Sequence, residues 1–285
     1  MESSTQFLIG LTPAGDEGSA YRTKNVNGNE RQRSNMLDRG SELVVQGDLV
    51  RVVHGKYGPG SASAATLLVV EFHFLSYKSD RRFRQAVITL QFSSPDNSKE
   101  GPVVASITPY GRFCLNPTVT SEEKTISTNI GANVGIGGVG GANVGLGWSL
   151  SKAKEKKHQT TLVGSTRLEL RNYGGKDTAR WVLSENRSQS DGIPSFFRAG
   201  ILLKRSSDAE FQATIQITAE ADLAYSIRNT FETWTGKTPV DDPILFDPSL
   251  EPQGEYPLPE IDLDHLSKYN LESIMSVETL GAQQS

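Results

Sequence analysis

Hydrophobic and polar residues alternate with a period of two over much of this chain, which is the pattern of β-strands with one buried face. Such runs occur at 42–58, 66–92, 103–115, 158–171, 178–185 and 199–221. A helical period is weak between them. The pattern predicts a strand-dominated, twisted antiparallel sheet, followed by a short acidic helix near the C-terminus.

The longest run predicts an amphipathic hairpin. Leu68, Val70, Phe72 and Phe74 share one side of its first half, and Ala86, Ile88, Leu90 and Phe92 share one side of its second half. A charged break separates the halves. Placing Phe72 opposite Ile88 and Val70 opposite Leu90 brings the two apolar sides together.

A second hairpin is predicted within 125–151, which holds 27 consecutive uncharged residues and the pentapeptide GANVG twice. Its even positions are apolar, and its odd positions are almost all Gly, Asn, Ser or Thr. A five-residue turn around Val139 would place Ile136 opposite Ala142. Each arm is about 9 to 11 residues long, the length of a tilted strand that crosses a bilayer.

Three other interpretations of this segment are possible. A transmembrane helix is disfavoured, because each Gly in a helix interior costs roughly 1 kcal/mol relative to Ala. A dinucleotide-binding loop at 135–140 would need a following helix, and a strand follows instead. A flexible, Gly-rich surface hairpin or disordered loop remains open.

Both hairpins are candidates for membrane insertion. The residues predicted to insert are Val70, Phe72, Phe74, Ile88, Leu90, Ile130, Val134, Ile136, Val144, Leu146 and Trp148. Basic clusters lie next to both hairpins, and each such charge near anionic lipid contributes on the order of 1 kcal/mol. The residues predicted to bind lipid are Arg81, Arg82, Arg84, Lys152, Lys154, Lys156 and Lys157.

Charge divides the chain unevenly. Residues 247–285 carry eight acidic residues and one lysine, a net charge of −7, so the total of −4 leaves about +3 on the rest. We therefore predict a poorly ordered segment at 1–40, a body at 41–246, and a Pro-rich linker with an acidic tail at 247–285. The acidic tail is either a solvated end or an electrostatic cover for the body.

The sequence contains no pattern typical of an enzyme. The four histidines are scattered, so no metal site or cofactor is expected, and the single Cys114 is read as a small buried residue. The charge of the body is too small for a nucleic-acid binder. The first residues do not form a secretory leader, which predicts a cytoplasmic protein.

Two amphipathic hairpins with basic clusters and a detachable acidic tail together resemble the gasdermin-like proteins of fungi, which act in heterokaryon incompatibility and regulated cell death. The resemblance covers roughly residues 42–285. It implies an α+β pore-forming domain, a cytoplasmic precursor, activation by a subtilisin-like protease, and a homo-oligomer in the cell membrane. The membrane-binding N-terminal helix of that family has no counterpart in the polar first 40 residues.

On this interpretation the tail shields the body until a protease removes it. Phe246 is the predicted cut site, as a large apolar residue in an extended segment. Two rival functions are a non-inserting β-sandwich module that binds lipid or protein and a cofactor-free isomerase or cyclase with an apolar cleft. Neither rival predicts leakage of vesicles.

Overall fold

The computed structural model describes residues 7–9, 23–40, 42–59, 63–78, 81–96, 101–128, 148–169, 172–223 and 241–279. Regular structure in these residues is almost entirely β. The strands are β1 (Phe7–Ile9), β2 (Asn35–Gly40), β3 (Leu43–Lys56), β4 (Ala64–Ser76), β5 (Arg81–Ser93), β6 (Val103–Thr108), β7 (Gly111–Thr128), β8 (Trp148–Arg167), β9 (Thr178–Ser184), β10 (Phe196–Arg205), β11 (Phe211–Leu223), β12 (Ile244–Phe246) and β13 (Ser276–Glu278).

These strands form two antiparallel sheets. Sheet I has the order β1-β11-β5-β9-β8-β7, with β12 also paired to β11. Sheet II has the order β13-β10-β4-β3-β2, with β6 also paired to β10. The prediction of a strand-dominated antiparallel fold is confirmed for the described residues.

The main core lies between the two sheets. Trp181 of sheet I meets Phe197 of sheet II edge to face, with ring centroids 5.6 Å apart. Phe72 stacks on the same Phe197 ring at 5.9 Å. All three side chains are fully buried, and the indole Nε1 of Trp181 donates a hydrogen bond to the Pro109 carbonyl at 3.1 Å. The alternating apolar residues of both sheets thus fill one continuous layer.

The predicted pairing of the first hairpin is wrong. Phe72 on β4 lies opposite Gly47 of β3 and Phe197 of β10. Ile88 on β5 lies opposite Trp181 of β9 and Ile217 of β11. Strands β4 and β5 therefore belong to different sheets, and the chain passes from one sheet to the other between Ser76 and Arg81.

The physical reason is that β4 has no side that faces water. Residues 65–70 are all buried, on both faces of the strand. A strand that is apolar on both faces is stable in the middle of a sheet with layers above and below it. The even positions of β4 face the main core, and its odd positions Leu67 and Val69 contact a second apolar cluster on the outer face of sheet II.

Residues 23–40 belong to the fold, so the boundary expected at residue 40 falls inside the body. Strand β2 pairs with β3, and Met36 is buried in the main core. The buried guanidinium of Arg33 donates to the Asn25 Oδ1 atom at 2.5 Å and to the Asp242 carbonyl at 3.1 Å. The second of these bonds connects the segment to the chain just before β12.

The acidic tail does not form the predicted helix. It contains two short 3-10 turns, Leu266–Lys268 and Leu271–Ile274, and ends in β13. Its apolar residues pack on the outer face of sheet II.

Candidate functional site

A two-stranded ribbon extends beyond sheet I. Strand β8 pairs with β9 only from Thr161 to Arg167. Its pairing with β7 continues to Thr128 opposite Trp148. The two strands pair as predicted, but the register differs by two residues, because the predicted pairing of Ile136 with Ala142 would place Thr128 opposite Leu150. Among the described residues, the outer parts of β7 and β8 pair with each other alone. We call 118–128 and 148–158 the stem ribbon.

The ribbon leaves the sheet at a β-bulge. The register of β7 against β8 shifts between Leu115 and Thr118, and the skipped residues are Asn116 and Pro117. Proline has no N–H group and disrupts a ladder, and bulges bend a strand and increase its twist. The eleven residues from Thr118 to Thr128 span roughly 36 Å at about 3.3 Å per residue.

The charged residues of the two strands of the ribbon end at the same register pair. Lys124 lies opposite Lys152, and the next pair outward is Thr125 with Ser151. From that pair onward neither strand carries a charged residue, and the connecting sequence 129–147 carries none either. Because the last charged residues of the two strands lie opposite each other, the ribbon has a charged base and an uncharged end.

Most of the residues predicted to insert from the second hairpin are not among those that the structure describes. Ile130, Val134, Ile136, Val144 and Leu146 fall outside the described residues. The backbone of Trp148 begins β8, and the four lysines of the basic cluster follow it along the same strand. Those lysines are Lys152, Lys154, Lys156 and Lys157.

The apolar residues predicted to insert from the first hairpin lie in the main core. Their exposed fractions are 2% or less, because they fill the layer between the two sheets. Contact with lipid would require the sandwich to open. These residues are Val70, Phe72, Phe74, Ile88 and Leu90.

The first basic cluster forms ion pairs within the body. Arg82 and Arg84 each donate through Nε to the Glu185 carboxylate, at 2.9 and 2.8 Å, and only 4% of the Glu185 side chain is exposed. Arg81 and Lys78 both pair with Glu42. Arg81, Arg82 and Arg84 are therefore each held in an ion pair rather than forming the free cationic patch that the sequence indicated, although two carboxylates face four cations here.

Phe246 is not an exposed cut site. It is 1% exposed, lies in β12 paired with β11, and stacks on Phe211 with ring centroids 4.7 Å apart. A protease needs an accessible extended segment. The sequence could not predict strand β12, because the three residues ILF between two prolines are too few to show a period of two.

The tail beyond β12 covers the outer face of sheet II. Leu258, Leu266 and Ile274 are buried against Val53 and Leu202 of that face. We call residues 248–279 the strap. Its acidic side chains, by contrast, are largely exposed.

One surface ion pair adds to the attachment of the strap. The Asp264 carboxylate accepts a bond from Lys56 Nζ at 2.9 Å and raises the pKa of Lys56. Both side chains are about two-thirds exposed, so solvent screens the pair and its contribution is small. A backbone hydrogen bond from Asp264, together with His265, lowers the pKa of Asp262 within the strap.

Two features are absent from the described residues. These residues contain no helix that is both long and apolar enough to span a membrane. Nor do they contain a group of three or more His, Cys, Asp or Glu side chains placed to hold a metal ion.

Comparison with known proteins gives distant structural matches only. No protein-family model and no curated protein matches the chain. The NetB toxin of Clostridium perfringens, in its membrane-inserted form, aligns with a TM-score of 0.23 and 9% identity over 65% of this chain and 86% of that one. The delta-toxin of Clostridium perfringens aligns with a TM-score of 0.26 and 9% identity over 67% and 86%.

Such low scores do not establish a shared fold, so the functional argument depends on the residues of this chain. The resemblance to fungal gasdermin-like proteins stays a prediction.

Proposed function

We propose that this chain is the cytoplasmic precursor of a membrane pore-forming protein. The stem ribbon and the uncharged sequence beyond it insert into the bilayer as a β-hairpin, and several copies together complete a barrel. A protease removes the strap before insertion. The stem ribbon is the observation that carries the proposal.

Length and charge of the ribbon support an insertion role. The hydrocarbon core of a bilayer is about 30 Å thick, and a tilted strand crosses it in about 9 to 11 residues. The 27 uncharged residues at 125–151 provide two such strands and a turn. Because both strands lose their charges at the same register pair, the charged base of the ribbon would lie at one membrane surface.

The lysine cluster supports binding to acidic lipid. Four lysines lie within the six residues 152–157 of β8, directly behind the uncharged end. Each contributes on the order of 1 kcal/mol near an anionic surface. The Arg81, Arg82 and Arg84 cluster has no part in this proposal, since its charges are already paired inside the body.

Oligomerisation follows from the physics of an open sheet edge in lipid. A single hairpin would leave the outer backbone groups of both strands without partners, and each unsatisfied group costs several kcal/mol in hydrocarbon. A closed ring of hairpins satisfies them all. The active form is therefore a homo-oligomer.

Proteolytic activation is placed at the start of the strap. The side chains of residues 251–255 are exposed, unlike that of Phe246, and cleavage there needs the two backbone bonds between Gln253 and Val52 to open. A protease, subtilisin-like by the gasdermin resemblance, would cut there and leave β12 and the core intact. Regulated cell death, as in heterokaryon incompatibility, is the process in which the resemblance places such a pore.

Release of a dye from vesicles tests the proposal. A full chain carrying a site for a sequence-specific protease within 251–255 should release dye from acidic vesicles after cutting and should retain it before cutting. Neutral vesicles serve as the lipid control. Vesicles that stay intact with the cut chain, while the protein remains folded by circular dichroism, would contradict pore formation.

A non-inserting β-sandwich module that binds lipid or protein is the alternative function. The burial of β4 and β5 in the main core favours it, because these strands cannot insert without opening the sandwich. It predicts binding to acidic vesicles without release of dye. The same experiment therefore separates the two functions.

A further inference from the structure

The strap crosses sheet II from one edge to the other. It begins beside β3, passes over β4 and β10, and ends as β13 on the far side of β10. Both sheet edges that it meets contain backbone groups that β2 and β6 leave unpaired. The strap therefore does more than cover an apolar face.

The first edge is the outer side of β3, beyond the end of β2. Val52 exchanges two backbone hydrogen bonds with Gln253, at 2.9 and 3.0 Å. Farther along, Lys56 N–H donates to the Leu263 carbonyl at 2.7 Å, and the Tyr57 carbonyl accepts from Ser267 at 3.0 Å. The strap thus pairs outer backbone groups of Val50, Val52, Lys56 and Tyr57.

The second edge is the side of β10 opposite β4. Residues Phe196–Arg198 pair there with β13, antiparallel. The Ser195 N–H donates to the Glu278 carbonyl at 2.9 Å. Strand β6 occupies the remainder of this edge from Gly200 to Lys204, so β13 fills the part that β6 leaves open.

Glycines of the sheet make room for the strap. A Cβ atom on Gly55 would lie 2.3 Å from the Leu263 carbonyl oxygen and 3.1 Å from the Leu266 side chain, both in the strap. A Cβ atom on Gly200 would lie 2.9 Å from the Ile274 side chain. At Gly55 the nearest atoms all belong to the strap, so a side chain at this position should displace the strap specifically.

We propose that the strap prevents copies of this chain from pairing edge to edge, by occupying the outer edge of β3 and the open part of β10. An exposed edge is a template for another strand. The two edges lie at opposite sides of one sheet, so pairing between them joins copies head to tail, and such contacts continue past a dimer into rings or filaments. The inference rests on the proposed function, since a pore requires such an assembly.

A second copy fits these edges better than a membrane does. The strap supplies hydrogen-bond partners to backbone donors and acceptors at 50–57 and 196–198. Another strand can replace those bonds, whereas lipid hydrocarbon offers no hydrogen-bonding partner. Binding to lipid in place of association is treated below as an outcome of the test.

The first experiment displaces the strap in the full chain without proteolysis. Gly55→Ala should loosen the strap, seen as faster cleavage within 251–279 by a non-specific protease. Without any lipid, the variant should sediment as species larger than a dimer, with a size that rises with concentration. Gly58→Ala is the matched control, because its Cβ would meet only the Ser267 hydroxyl, at 3.3 Å, and it should behave as the wild type does.

The second experiment covers the case in which Gly55→Ala unfolds the body. The chain with a protease site within 251–255 is cut, and the fraction that has lost the strap, identified by mass spectrometry, is analysed by sedimentation. Assembly larger than a dimer supports the proposal. A body without its strap that stays monomeric, stops at a dimer, or associates only when acidic vesicles are present overturns it.

The test separates this inference from the proposed function. Val134→Asp in the uncharged segment should abolish release of dye and leave association in the absence of lipid unchanged. Dye release without association in solution would overturn the role of the strap and leave pore formation standing. Association without dye release would do the reverse.

Discussion

His54 is a half-buried histidine on β3 whose environment disfavours the charged form. Its Nδ1 atom lies 2.9 Å from the Thr66 hydroxyl, and its ring meets Phe211 edge to face. Burial, with the nearby Arg205 cation as the second cause, lowers the pKa of His54 to about 4. Asp247 and Asp208 act in the opposite direction and do not offset the burial.

This shift predicts a pH dependence of stability. Between about pH 6.5, the ordinary pKa of histidine, and about pH 4, the unfolded chain binds a proton that the folded chain does not. The free energy of unfolding should therefore fall as the pH is lowered through this window, by roughly 3 kcal/mol at most. Urea unfolding of the wild type and of His54→Gln at several pH values measures it, and parallel pH profiles for the two proteins would contradict the assignment.

Glu185 supports a second prediction at the residue scale. Its carboxylate is nearly buried between Arg82 and Arg84. Glu185→Gln leaves two cations without a countercharge, and we expect a loss of about 2 to 4 kcal/mol in the free energy of unfolding. Urea unfolding of this variant should be compared with Glu251→Gln, a change at an exposed strap position. Equal stability of the two variants would show that the cluster is not structural.

The stem ribbon allows a prediction at the scale of one element. A charge should cost more the farther it lies beyond the Lys124 and Lys152 pair, because the cost of a charge in a membrane strand rises from about 0–1 kcal/mol at the interface to about 2–4 kcal/mol at the centre for basic residues and is smaller for acids. Thr120→Asp should leave release of dye unchanged, Leu150→Asp should reduce it slightly, and Val144→Asp should abolish it. Equal effects at all three positions would rule out a depth gradient.

The elements differ in how far the sequence determines them. The period of two predicted that the two arms of the uncharged segment pair, and the described pairs from Ile126–Leu150 to Thr128–Trp148 agree with that, although their register is shifted by two residues. The same period could not choose a partner for β4, since it places side chains on faces and says nothing of which strand lies alongside. Leu67 and Val69, apolar on the supposed polar side, were the signal that β4 is buried on both faces.

At the scale of the whole molecule, the strap was only partly predictable. Its negative charge indicated an electrostatic cover, yet Leu258, Leu266 and Ile274 attach it through apolar contacts. A prediction follows from this difference. Raising the salt concentration should weaken the exposed Lys56–Asp264 pair and leave the strap in place. Protease sensitivity within 251–279 that is constant from low to high salt would agree, and a steep rise would favour electrostatic attachment.

The central claim is that the uncharged end of the stem ribbon exchanges water for lipid, with its even positions facing hydrocarbon. A cysteine scan tests it most directly, with Cys114 first replaced by Ser and an environment-sensitive fluorophore attached at each position from 130 to 136. After the strap is cut and acidic vesicles are added, emission should shift to the blue at the even positions and not at the odd ones. Emission that does not change, or that shifts without alternation, would contradict the claim.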